Sequence, residues 1–163
     1  MGYLNPIMKF GFETFCQKCV ECGIDGVIIP DLPFKDYEET YKPIADRYDI
    51  RVIMLITPET SEARVREIDE HTDGFIYMVS SAATTGAQKD FDSQKQAYFK
   101  KIQDMHLRNP RMVGFGISNK QTFDAACANS SGAIIGSRFV TLLNEAEGDA
   151  EKAFTQLKEG LKK

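Results

Sequence analysis

The sequence predicts an α/β protein built on a parallel sheet, and two observations carry that reading. Five short, near-continuously apolar runs recur along the chain, and longer amphipathic segments lie between them. The runs are Gly26-Val27-Ile28-Ile29-Pro30, Val52-Ile53-Met54-Leu55-Ile56, Gly74-Phe75-Ile76-Tyr77-Met78-Val79, Met112-Val113-Gly114-Phe115-Gly116 and Gly132-Ala133-Ile134-Ile135-Gly136. Strands buried on both faces have this character, and three of the runs are rich in Val and Ile. The starts at 26, 52, 74, 112 and 132 are uneven and share no consensus, which sets a tandem repeat aside.

The intervening segments read as helices in order. Residues 10–22 carry Phe12, Phe15, Cys16, Cys19 and Val20 at helical spacing, with Gly23 where a C-terminal cap belongs. Residues 36–48 are amphipathic, although Pro43 is expected to break or restart the helix. Residues 62–71 place Val65 and Ile68 on one face, residues 94–106 bury Tyr98, Phe99 and Ile102, and 121–128 and 150–161 complete the series. Strands alternating with helices are joined by crossovers, which makes the sheet parallel.

Composition bounds the function. A chain of 163 residues is about one domain's worth, and no linker or low-complexity stretch divides it. Its net charge of −4 provides no basic field for a phosphodiester backbone, so nucleic acid is not an expected partner. Neither a membrane-length apolar stretch nor a secretory leader is visible, and four Cys make no disulfide framework, so a reducing cytoplasm is the expected location.

Every predicted strand ends in small and polar residues: Pro30-Asp31-Leu32-Pro33, Thr57-Pro58-Glu59-Thr60, the segment from Ser80 to Gly86, Gly116-Ile117-Ser118-Asn119 and Gly136-Ser137. Ligands of parallel α/β folds bind at these carboxyl ends. A Gly-rich exit running into a helix leaves backbone N–H groups unpaired at the positive end of the helix dipole, which suits a phosphate. Two successive terminal exits of this kind, with Thr85-Gly86, match the phosphate site that barrels build after their last two strands.

Read together, Tyr3-x-Asn5-Pro6, the run from Gly23 to Pro33, the run from Gly74 to Ser80, Thr84-Thr85-Gly86-Ala87, Gly114-Phe115-Gly116-Ile117-Ser118 and the run from Gly132 to Ser137 resemble, in that order, the α chain of tryptophan synthase. The resemblance spans essentially the whole chain. It implies a partial (β/α)8 TIM barrel in which the five runs are the fourth to eighth strands and residues 1–3 a remnant of the third. A complete barrel takes about 250 residues.

The resemblance also implies chemistry. That family cleaves indole-3-glycerol phosphate to indole and glyceraldehyde 3-phosphate and passes the indole to a β chain, to which the pyridoxal phosphate belongs. No cofactor is expected on this chain. Phosphate contacts carry over to Gly86, Gly116, Gly136 and Ser137, and the indole pocket to Tyr77 and Phe115, with Tyr3, Ile28 and Ile134 nearby. Packing inside a barrel explains those apolar residues nearly as well. Residues 80–88 correspond to a lid whose Thr85 touches the catalytic loop, and Asp31 to a residue that positions that loop. The family's catalytic Glu and Asp have no counterpart here, so no catalytic residue is assigned and the chain alone is expected to be inactive. Alternatives are a fragment of a ribulose-phosphate-binding barrel, or a non-catalytic half-barrel assembly module. An incomplete barrel exposes two strand edges, one beside residues 26–30, and self-association is the expected result.

Cys16-x2-Cys19-x2-Cys22 resembles the start of an iron–sulfur run, but Gly26 and Val27 stand where Cys-Pro would follow. On a helix, steps of three turn each thiol about 60° around the axis. Buried or half-buried helix cysteines are the reading preferred. His71 and His106 each end a helix, where an imidazolium suits the dipole.

Overall fold

The computed structural model describes residues 1–79, 89–114, 116–117 and 119–162, the side chains of 89–94 excepted. Its contacts group into two compact units, Met1–Tyr77 with Leu107–Pro110, and Met78–His106 with Arg111–Lys163.

The first unit opens with α1 (Leu4–Phe10) and α2 (Phe12–Glu21) where the sequence predicts one helix over 10–22. Gly11 divides them. At φ +94°, in a region L side chains avoid, its N–H donates to the Ile7 and Met8 carbonyls while its own carbonyl accepts from Phe15, so one residue closes one helix and opens the next. The first helix escapes prediction because Asn5-Pro6 reads as a turn. Pro6 instead occupies the first turn of α1, where its missing N–H has no intrahelical partner to lose.

β1 (Gly26–Ile28) follows, and then a continuous helical stretch: α3 (Phe34–Asp36), a π-helical turn over Tyr37–Tyr41 and α4 (Lys42–Arg47). Pro43 does restart the helix, through the wider turn in front of it. It cannot donate to the carbonyl of Glu39, and the register expands so that the Lys42 N–H reaches the Tyr37 carbonyl.

The predicted strand over 52–56 is divided at Met54 into β2 (Arg51–Ile53) and β3 (Leu55–Ile56). β2 pairs in parallel with β1, Gly26 opposite Arg51 and Ile28 opposite Ile53. β3 neighbours β4 (Ile76–Val79), and the Met54 carbonyl accepts from the Tyr77 N–H at 3.0 Å. α5 (Glu62–His71), within its expected bounds, is capped by the Ser61 hydroxyl and buries Val65 and Ile68; Val52, Ile56 and Ile76 of the strands are buried too.

The second unit holds the end of β4, α6 (Lys89–Asp104), β5 (Arg111–Gly114), α7 (Lys120–Cys127), β6 (Gly132–Ala133), α8 (Ser137–Glu145) and α9 (Ala150–Gly160). β5 lies between β4 and β6 and pairs with β6 in parallel, Met112 opposite Gly132 and Val113 opposite Ala133. A reciprocal Asn119–Thr122 capping box starts α7. α8 and α9 enclose Leu142, Ala146 and Ala153, with Phe139, Leu143 and Leu157 packed around them.

Residues 1–3 carry no strand. Their link to the sheet is the Gly2 N–H, which donates to the Ile28 carbonyl at 3.0 Å.

Candidate functional site

The register of β5 and β6 sets where two of the glycine exits stand. Parallel strands end at the same edge of a sheet, and here Val113 stands opposite Ala133. The Ile134 N–H extends the ladder to the Val113 carbonyl at 2.8 Å. Gly116 follows Val113 by three residues and Gly136 follows Ala133 by three, so the two exits leave neighbouring strands at matched positions. Gly116 has φ +76°, a left-handed turn that a side chain would strain, and it is exposed.

Gly136 is the N-cap of α8 and Ser137 its first residue; both are exposed, and no side chain caps this helix. Val140 is the first donor of the helical ladder, to the Gly136 carbonyl, so the N–H groups of Ser137, Arg138 and Phe139 precede it. With the Ser137 hydroxyl beside them, these donors at the positive end of the helix dipole can hold an anion. Gly86, Thr85 and Phe115, and the lid segment 80–88, lie outside the described residues.

In the first unit the carboxyl end of β1 gathers Tyr3, Ile28 and Asp31. Two hydrogen bonds flank Tyr3: Gly2 N–H to the Ile28 carbonyl at 3.0 Å, and Leu4 N–H to Asp31 Oδ1 at 2.8 Å. Leu4 begins α1 and Tyr3 gives it no side-chain cap, so Asp31 caps this helix from a loop 27 positions away. Tyr3 is 68% exposed and Ile28 half-buried. Tyr77, on β4, is buried, and burial pushes its phenol above the ordinary tyrosine range. Ile134 is half-buried and belongs to the second unit. The described pocket residues therefore divide, with Tyr3, Ile28 and Tyr77 in the first unit and Ile134 in the second.

Glu59 is exposed in a turn that the Thr57 and Thr60 hydroxyls close, Thr57 N–H to Thr60 Oγ1 at 2.9 Å and Glu59 N–H to Thr57 Oγ1 at 3.3 Å. A pocket of about 250 Å3 lies on the helix side of the first unit, between Ile29, Met54 and Leu55 of the strand exits and Phe34, Arg64 and Ile68. Ile29, Pro30 and Leu32, just past Ile28, lie in its wall, and among the described residues none of the sequence-predicted site residues lines it.

The structure adds one polar cluster that sequence reasoning missed. Asp69, buried on α5, accepts from the Arg108 and Asn109 N–H groups at 2.7 and 2.8 Å and from Asn109 Nδ2. Arg108 Nη2 donates to the Asp69 and Thr72 carbonyls, closing the C-terminal end of α5, and Nη1 pairs with Asp73 at 2.7 Å. That bond holds the Asp73 carboxyl below its ordinary range. Asn109-Pro110 marks a turn in the sequence, but nothing local pairs it with a residue 40 positions earlier.

Comparison with known proteins gives these exits a context. The family description "Tryptophan synthase alpha chain" matches residues 1–163. The tryptophan synthase alpha chain of Bacteroides fragilis is 79% identical over 158 residues, covering 97% of this chain and 60% of the relative. That of Bacteroides thetaiotaomicron is 78% identical over 162 residues, covering 99% and 63%. Among solved structures, the alpha subunit from Campylobacter jejuni superposes with a TM-score of 0.79 at 30% identity, covering 97% of this chain and 62% of its own. The A-subunit from Pyrococcus furiosus superposes at 0.81 with 28% identity, covering 98% and 63%. This chain thus spans 60–63% of the length of these curated relatives. With all of its residues matched and its strands superposing on solved members, the chain belongs to the tryptophan synthase alpha chain family and carries part of that family's (β/α)8 barrel.

Proposed function

We propose that this chain supplies the substrate-binding portion of a lyase of tryptophan biosynthesis, the alpha reaction that cleaves indole-3-glycerol phosphate to indole and glyceraldehyde 3-phosphate. The observation that carries the proposal is the pair of matched exits on β5 and β6, Gly116 at φ +76° and Gly136-Ser137 at the uncapped start of α8. The phosphate sits on backbone N–H groups of Gly86, Gly116 and Gly136 and on Ser137, and Tyr77, Phe115, Tyr3, Ile28 and Ile134 wall the indole. Asp31 and Thr85 position the catalytic loop; the bond from Leu4 N–H to Asp31 supports the first of these roles.

The reaction is a retro-aldol cleavage. A base takes the proton of the C3′ hydroxyl as the bond from that carbon to the indole ring breaks, and an acid assists tautomerisation of the ring. No carboxylate of this chain matches the family's pair for these steps. The chain orients the substrate and does not move its protons, so by itself it releases no indole.

The test is an amide NMR titration with glycerol 3-phosphate. Saturable shifts confined to Gly86, Gly116, Gly136 and Ser137 support the reading, and a dispersed spectrum without them overturns it. Indole release by the pure chain would overturn the assignment of no catalytic residue.

The proposed partner is the pyridoxal-phosphate-dependent β chain, the cofactor remaining with that partner. The proposed setting is the cytoplasm; among the described residues no helix is long and apolar enough to cross a membrane, which by itself names no compartment. Self-association is also proposed: β1 pairs with β2 on one side, while its other edge receives the Gly2 N–H near exposed Met1, Tyr3, Met8 and Phe10.

A further inference from the structure

The cysteine run on α2 has no part in substrate binding, yet its three thiols lie in different environments. Cys16 and Cys19 are buried at 0% and 3% exposure, and Cys22, the C-cap, is exposed. We propose that Cys19 and Cys22 form a reversible redox pair, a disulfide-forming site at the C-terminal end of α2 that takes hydrogen peroxide as its oxidant.

The backbone favours this pairing over its neighbour. The Cys22 N–H donates to the Lys18 and Cys19 carbonyls at 3.0 and 3.2 Å, so Cys19 and Cys22 sit one helical turn apart. Residues three apart on a helix have Cα atoms about 5 Å from each other. Bridged cysteines span about 4.4–6.8 Å, so the pair closes with side-chain rotation and slight opening of the turn. That opening is available at a helix end, where Gly23 follows at φ +70°. Cys16 and Cys19 share the spacing, but both lie inside the helix and against the core, where no oxidant reaches them and the ladder resists opening.

Exposure assigns the roles. Burial pushes the Cys16 thiol up to about 11, with Cys19 and Glu13 adding to it, and burial also raises Cys19. Cys22, exposed at the helix end, is the thiol an oxidant reaches, so it attacks, and the buried Cys19 one turn back resolves. The Cys22 thiolate attacks one peroxide oxygen, the O–O bond breaks and the departing hydroxide takes a proton, leaving a sulfenic acid and water. The Cys19 sulfur, losing its proton, then attacks the Cys22 sulfur, the S–O bond breaks and a second water leaves. A dithiol is oxidised by two electrons and one peroxide is reduced to two waters. The bridge forms in the segment that leads directly into β1.

Peptide mass spectrometry after peroxide treatment and alkylation of the whole chain tests this. Trypsin cuts after Lys18, so Cys16 falls on peptide 10–18 while Cys19 and Cys22 share peptide 19–35. The expected result is peptide 19–35 lighter by a pair of hydrogens and unalkylated, restored by dithiothreitol, with Cys16 fully alkylated. In Cys19→Ser, Cys22 is expected to hold a sulfenic acid that dimedone traps. Cys22 advancing to sulfinic acid while Cys19 stays alkylatable would overturn the pairing. A bridge from Cys19 to Cys16, or between chains, would overturn it too. The wild-type reading stands whether or not the variant folds.

Discussion

Asp69 serves as the acceptor for two backbone N–H groups and one side-chain amide, all in the loop between α6 and β5, about 40 positions further along the chain. Asp69→Ala removes the acceptor of the Arg108 and Asn109 N–H groups, while Asn109 Nδ2 keeps the Asp69 and Thr72 carbonyls, and a loss of about 2 kcal/mol is expected in urea unfolding, with Asp69→Asn costing about half as much. His71 ends the same helix and its Nδ1 meets Glu38 Oε1. That hydrogen bond, against a smaller desolvation cost, raises the imidazole above its ordinary value. The stabilisation is complete below the ordinary value and is lost as pH rises through the raised one. Asp73, held down by Arg108, has the opposite sign: its contribution is present above the ordinary carboxylate value and is lost as pH falls through the lowered one. An NMR titration of His71 in Glu38→Gln checks the first, with a drop toward the ordinary imidazole value expected.

At the scale of elements, α1 depends on two residues outside it. Asp31 caps its first N–H, and Asp31→Ala is expected to cost about 1 kcal/mol, read as faster amide exchange in α1 with the core strands unchanged. Gly11 links α1 to α2 at φ +94°, and Gly11→Ala is expected to cost about 1–2 kcal/mol in thermal unfolding. These residues show how far the sequence was legible. The five predicted strand runs, one of them divided at Met54, and the helices over 62–71, 121–128 and 150–161 follow from apolar periodicity, because burial on one or both faces writes itself into residue order. Hidden from that reading were α1, behind its Asn5-Pro6 turn signal, and the π turn that absorbs Pro43. Both depend on which hydrogen bonds the backbone recovers.

For the whole molecule the edge of β1 away from β2, paired among the described residues to the Gly2 N–H, matters most. Sedimentation velocity is expected to show association that grows with concentration, and a monomeric mass at high concentration would overturn the self-association proposal. Phosphate binding on backbone donors, in a chain of net charge −4, is expected to weaken as salt rises and screens the anion.

The sequence by itself determined the α/β class, the order of the strands, the family and the identity of the glycine exits, because these rest on local periodicity and ordered motifs. The tertiary structure decided the rest. It matched Gly116 to Gly136 through the register of β5 on β6, gave α1 its cap from Asp31, buried Cys19 while exposing Cys22, and joined Asp69 to Asn109. Each of these is a contact between residues whose partner is chosen by chain packing, by register or by helix rotation, and local residue order does not encode that choice.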